Sequence, residues 1–185
     1  MAKLEHYFEQ AQPLDQYINN MTDHKDNLLS IYQSLELPDQ DERLDQIKQG
    51  PIDKVLMISE DWCGDAMMNN AILKYIVEQT DIEAKVFKRD DDTDLIDQYL
   101  TNGKSRSIPI YIFLNKQYEQ VAVWGPRAKQ VQAFVDKTKA SLPDQEDPSF
   151  QDKKKEMLAI FTQRFKTDST FWKDVYESIL DKIAK

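Results

Sequence analysis

Only one cysteine, Cys63, stands among the 185 residues, with two histidines and four glycines. A single cysteine excludes an intrachain disulfide. His6 and His24 both lie near the N-terminus, so no zinc-type Cys/His cluster forms, and no metal is expected. Long apolar runs are lacking too: the longest, Ile108 to Leu114, contains Pro109 and falls far short of a membrane span. Positive charge is scarce, 24 Lys and Arg against 33 Asp and Glu, for a formal charge of −9. That balance repels phosphates and argues against nucleic-acid or membrane partners; the longest basic run, Lys153 to Lys155, is brief. The first residues, Met1-Ala2-Lys3-Leu4-Glu5-His6, are charged and contain no secretory apolar region. A cytoplasmic location is therefore expected. What the chain has instead is apolar bulk: 41% hydrophobic residues, including eight Phe, eight Tyr and three Trp. That is enough for a real core in one or at most two domains, and it excludes disorder along the whole chain.

Residues 1–50 read as a helical N-terminal segment. Leu4, Tyr7 and Phe8 recur at helical spacing, and Leu14, Tyr17, Ile18 and Met21 repeat the pattern after a restart at Pro13. Further stripes, Leu28 to Leu35 and Leu44 with Ile47, end at Pro38 and Gly50-Pro51. The pattern changes at Lys54. Val55-Leu56-Met57-Ile58 has no polar alternation, which suits a central strand buried on both faces. A helix follows Cys63-Gly64, with Met67, Ala71, Ile72, Tyr75 and Ile76 on one face. A strand at Ala84–Phe87 comes next, then a short helix from Leu95 ending at Asn102-Gly103. The clearest strand, Ile110–Leu114, turns at Asn115-Lys116-Gln117 into an antiparallel partner, Glu119–Trp124. Val131, Phe134 and Val135 then place a last helix over the sheet. The predicted core, 51–141, is an α/β unit of order β-α-β-α-β-β-α with a central mixed sheet. Residues 142–185 add helices, one carrying Met157, Ile160, Phe161 and Phe165, the next capped at Asp168-Ser169. Their aromatic stripes predict that both terminal segments join the core in a single globule.

Trp62-Cys63-Gly64-Asp65-Ala66 opens the first core helix, and Ser107-Ile108-Pro109 precedes the clearest strand. In this combination the sequence resembles the thioredoxin-like superfamily over about residues 51–140. The resemblance implies a thioredoxin fold with added helices and a cis-proline at Pro109. It also implies a thiol nucleophile at Cys63 and a place in cell redox homeostasis. Two departures bear on mechanism. The second thiol of the family's motif is replaced by Ala66, and the family's buried acid on the preceding strand by Met57. Dithiol chemistry is therefore not carried over; a monothiol variant is what remains.

A helix start favours the Cys63 thiolate, whereas Glu60, Asp61 and Asp65 oppose it, and the sign of the balance stays open. The motif predicts an exposed, reactive thiol in place of the small buried hydrophobe that a lone cysteine often is. Arg106, before Pro109, would offset the acids if it folded toward the thiol. Around Cys63 the candidate substrate contacts are Trp62, Gly64, Asp65, Arg106, Ile108, Pro109 and Arg127. Asp65 also suits a helix's first turn, and Trp62 also suits plain packing. Gly125 and Pro126 are explained by a strand-to-helix connection. Asp90, Asp92 and Asp94 imitate a calcium loop, but Leu95 and Thr101 stand where it needs Gly and Glu, so a solvated helix start is expected. Three functions compete: monothiol thiol–disulfide exchange with protein or small-molecule thiols and disulfides, a non-catalytic module using the Cys63/Pro109 groove for peptides, and a structural role in which the aromatic helical extensions pair subunits or dock on a partner. No cofactor is expected beyond a low-molecular-weight thiol as co-substrate.

Overall fold

A computed structural model describes residues 2–185. The uninterrupted apolar run at 55–58 goes to the middle of a five-stranded sheet, as the lack of polar alternation requires. Along the chain the elements are α1 (Ala2–Gln10), β1 (Gln12–Pro13), α2 (Leu14–Asn19), α3 (Lys25–Gln33) and α4 (Glu42–Gln49). Then come β2 (Lys54–Ser59), α5 (Gly64–Thr80), β3 (Glu83–Lys88), α6 (Thr93–Ile96), β4 (Ile110–Leu114) and β5 (Gln120–Trp124). The chain ends in α7 (Lys129–Lys139), α8 (Phe150–Thr167) and α9 (Ser169–Ile183). Strand order is β1-β3-β2-β4-β5, with β2 and β3 parallel and the other pairs antiparallel. This is the mixed α/β order read from the sequence, a thioredoxin-like fold with extra helices. Among the described residues no helix is long and apolar enough to cross a membrane.

Alternate residues of the central strands feed two cores. Leu56, Ile58, Ile110 and Ile112 meet Tyr7 and Phe8 of α1 on one face, while Val55, Met57, Tyr111 and Phe113 meet α5 on the other. Pro13 restarts the helix as read, standing at the N-cap of α2, and also closes the sheet edge against Lys85. Its missing N–H suits an edge position. The helix at Leu95 ends at Ile96, short of Asn102. Asp92 caps it by accepting from the Asp94 N–H at 2.9 Å, which gives the acidic run its structural use.

Helix α5 departs most from its expected single face. Residues 65–73 are all buried, because α3, α4, α8 and α9 cover the side away from the sheet. Phe161, Phe165 and Trp172 are buried in that layer, and Trp172 Nε1 donates to the Phe165 carbonyl at 2.8 Å. Asp168 caps α9 by accepting from Thr170 N–H at 2.9 Å. Ile160 was expected on the apolar face of α8 but is 53% exposed, because the helix turns it away from α5.

Both Ile108–Pro109 and Gly125–Pro126 are cis. Gly125 is more than a connection. Its φ is +126°, and a Cβ there would stand 2.3 Å from the Pro109 carbonyl oxygen. Gly103 also has positive φ, +67°, but open space around it. Gly125→Ala should therefore destabilise by at least about 2 kcal/mol, adding backbone collision to the φ penalty. Gly103→Ala should cost about 1 kcal/mol. Urea midpoints compare the two, and equal losses would contradict the close approach.

Candidate functional site

The end of β2, the start of α5 and the loop before β4 converge on Cys63. Cys63 is the N-cap of α5, in extended conformation, and its carbonyl accepts from Met67 N–H at 3.0 Å. Its thiol points at the Ile108 carbonyl oxygen, 3.7 Å away, next to Pro109. The backbone N–H groups of Ala66 and Asp65, at the helix start, favour its anion. Burial outweighs them, the Asp65 carboxylate adds to it, and the thiol is pushed up to about 11. The balance left open by the sequence thus falls on the protonated side. Instead of the expected exposed thiol, the structure has a partly buried one.

Asp65 and Arg127 form a two-pronged ion pair, Nε to Oδ1 at 2.7 Å and Nη2 to Oδ2 at 2.8 Å. Arg127 also donates to Gln132 Oε1 at 3.2 Å. It is this guanidinium, not that of Arg106, whose charge favours the Cys63 thiolate. Arg106 is turned to Asp97, which it grips at 2.7 and 2.9 Å, so the idea that it folds toward the thiol is corrected. Arg106 touches the site through its backbone alone: its carbonyl accepts from Arg89 Nη1 at 3.1 Å. Arg89 in turn lies over the Trp62 ring, 5.0 Å from its centre. Trp62 remains 49% exposed at the rim. Gly64 faces α8, where an added Cβ would meet Thr162 Oγ1 at 3.7 Å and Phe165 Cδ2 at 3.9 Å.

Cys63 thus opens into a cleft of about 430 Å³ with two walls. One is Trp62, Gly64 and Asp65; the other is Leu158, Phe161, Thr162 and Phe165 of α8, with His24 at the edge. The segment before α3 is pinned there because Asp61 accepts from Thr22 N–H at 2.9 Å and Thr22 Oγ1 at 3.0 Å. Sequence reasoning missed the α8 wall, His24 and Arg89. The spacing of Phe161 and Phe165 shows an apolar face without saying what it covers, and nothing local marks the other two.

Beneath the thiol Met57 is fully buried, paired in register with Val86 and Tyr111. The hydrogen-bonded groups that continue from Tyr111 are uncharged. Tyr111 donates to Asn70 Oδ1 at 2.6 Å, and Asn70 Nδ2 donates to Ser59 Oγ at 3.1 Å. Burial holds the Tyr111 phenol well above its ordinary range, so it stays protonated. Among the described residues no group of three or more His, Cys, Asp or Glu side chains is arranged to share a metal ion.

A family model described as Thioredoxin matches residues 11–141 of the chain, starting well upstream of the segment whose motifs carry the resemblance. No curated protein matches it. Two solved structures share the fold. One is a protein of unknown function from Pseudomonas aeruginosa, 15% identical, with TM-score 0.61 and 94% of each chain covered. The other is an HIV epitope-scaffold, 16% identical, with TM-score 0.59 and 96% of each chain covered. At such identities the likeness speaks for the fold alone.

The raised thiol gives a pH expectation. Alkylation of Cys63 by iodoacetamide should climb about tenfold per pH unit from 7 and level off only near 11, because the thiolate is the nucleophile. Asp65→Asn removes the second-largest cause of the shift and leaves Arg127 beside the sulfur. It should move the midpoint down by on the order of one unit. A native midpoint at or below about 8.5, the value of a free cysteine, would refute the burial argument.

Proposed function

The chain belongs to the thioredoxin family, and from that premise we propose that it carries out thiol–disulfide exchange through Cys63 alone. The observation that carries this reading is the placement of the sulfur. It sits at the N-terminus of α5, beside the Ile108 carbonyl and Pro109, and opens into a cleft. Ala66, one turn into the helix and buried, cannot attack a disulfide. The cycle must therefore be completed by a thiol from solution.

In the first step the Cys63 thiolate attacks one sulfur of a disulfide RSSR. The S–S bond breaks, the Cys63–S–S–R bond forms, and RS⁻ leaves, taking up the proton that Cys63 released. In the second, an external thiolate R′S⁻ attacks the R sulfur and returns Cys63 with formation of RSSR′. Asp65 and Arg127 set the charge beside the sulfur, and Trp62 forms the rim. The partners of this reaction are small-molecule or protein thiols and disulfides.

The high thiol pKa sets the pace. Relative to a free cysteine of pKa about 8.5, the anionic fraction at pH 7 is about 300-fold smaller. Nucleophilicity rises with pKa at a Brønsted slope of about 0.45, which recovers a factor of about 13. Exchange at pH 7 should therefore run about 20-fold slower than with a free cysteine.

Incubation with hydroxyethyl disulfide at pH 9, followed by intact mass, should show one adduct that is absent in Cys63→Ser. Dithiothreitol should remove it. Ala66→Cys should raise disulfide-reductase turnover at least tenfold over a near-background native rate, since an internal thiolate then resolves the intermediate. If no adduct forms at pH 9, the thiol is inert and the protein is a binding module built on the same groove. Native turnover that matches Ala66→Cys would show that no resolving thiol is missing.

A further inference from the structure

The α8 wall bears on which disulfides reach Cys63. We propose that the cleft between the Cys63 loop and α8 is a subsite for a small uncharged apolar group. Its disulfide substrates would then be low-molecular-weight species with an aliphatic or aromatic substituent, not protein disulfides or carboxylate-bearing peptide thiols. This rests on the exchange reading above and adds the substrate class.

Size is the first support. A methyl-sized addition at Gly64 would already touch Thr162 and Phe165. The gap between Gly64 and α8 is therefore about one methyl group wide. The cleft itself, about 430 Å³, lies in the lower half of the range that takes small organic ligands.

Polarity is the second. Leu158, Phe161, Phe165 and the Trp62 ring supply most of the walls. Leu158 is 51% exposed, so large apolar side chains stand open to water on both sides of the mouth. An apolar substituent would cover them at roughly 25 cal/mol per Å² of surface removed from water.

Charge is the third. The guanidinium groups on the thiol side of the fold are already held by carboxylates: Arg127 pairs with Asp65 and Arg89 with Asp90, while Arg106 is turned away to Asp97. A substrate carboxylate entering this cleft would have to displace one of them or lose hydration without a partner. The formal charge of −9 further lowers the encounter rate of anionic thiols.

The test uses three methanethiosulfonates on the full chain at pH 9: methyl, benzyl and sulfonatoethyl. In each the Cys63 thiolate displaces methanesulfinate and keeps the thioalkyl group, so the bond chemistry is the same. Rates are divided by those of a cysteine peptide of neutral charge. The normalised benzyl rate should exceed the sulfonatoethyl rate at least tenfold and the methyl rate at least threefold. Leu158→Glu should bring the benzyl-to-methyl ratio toward one. Ile160→Glu, the same charge on the outer side of α8, should leave that ratio as it is. Native insulin, its disulfides intact, incubated with the Cys63 thiol in excess, should yield no mixed disulfide. Equal normalised rates for benzyl and sulfonatoethyl, or a stable insulin adduct, would overturn the subsite and leave the exchange reading standing. Failure of all three reagents to label Cys63 would overturn both.

Discussion

Helix α5 has no solvent face along its first half, because the sheet covers one side and α3, α4, α8 and α9 cover the other. In a two-layer α/β unit such a helix would keep one polar stripe in water. Here the helix that carries the thiol is a core element, and its N-terminus lies at the bottom of a cleft instead of on an open surface. Enclosure acts in two directions on Cys63. It keeps the helix-end N–H groups aimed at the sulfur, which favours the anion. It also removes water, which favours the neutral thiol, and the second effect is larger. The raised pKa of the thiol thus follows first from burial, to which the terminal helices contribute, and second from the motif's own Asp65.

The same enclosure explains the charges that surround the sulfur. A carboxylate at Asp65, in the first turn of α5 and nearly buried, needs a partner, and Arg127 reaches it from the turn after β5. Removing one member of so buried a pair typically costs about 3–5 kcal/mol, because the other is left uncompensated. Arg127 is held in turn by the chain reversal at Gly125 and Pro126, where the backbone passes close against Pro109. The two sides of the thiol, Pro109 and Asp65, are therefore positioned by one short segment, 125–127. Beneath it, Met57 and the Tyr111–Asn70–Ser59 chain keep the floor uncharged. On β2 itself, the position in register with Tyr111 is the apolar Met57, which can take no proton.

Much of the fold was legible in periodicity. The unalternating run at 55–58, the β-rich run at 110–114 and the turn at 115–117 place the central strands and the hairpin within a residue or two. The meeting of Cys63 with Ile108 and Pro109 came from motif spacing, since those residues are 45 apart and only a known chain path joins them. What could not be read is what depends on side-chain direction or distant packing. The two-residue strand at Gln12–Pro13 is too short to have a period. Arg106 and Arg127 look alike in sequence; which one faces the sulfur is decided by Asp97 and Asp65, partners that no local pattern reveals. The exposure of Ile160 against the burial of Phe161 differs by one helical step. That step settles which residues wall the cleft.

The missing second thiol and the α8 wall constrain each other. With an internal resolving thiol, a mixed disulfide is cleaved from within the protein, and the size of the bound substrate does not hinder the attack. With Ala66 in that position, the resolving thiolate has to arrive from solution. It must then approach the mixed disulfide roughly in line with the Cys63 sulfur that it expels. A large substrate lying across the mouth between Trp62 and Leu158 would close that approach and leave the protein trapped as its own adduct. A small substituent held against Phe161 and Phe165 leaves the mouth open to the second thiol. Under the proposed exchange cycle the two features, one read from the sequence and one from the packing, thus point the same way, toward a small first substrate.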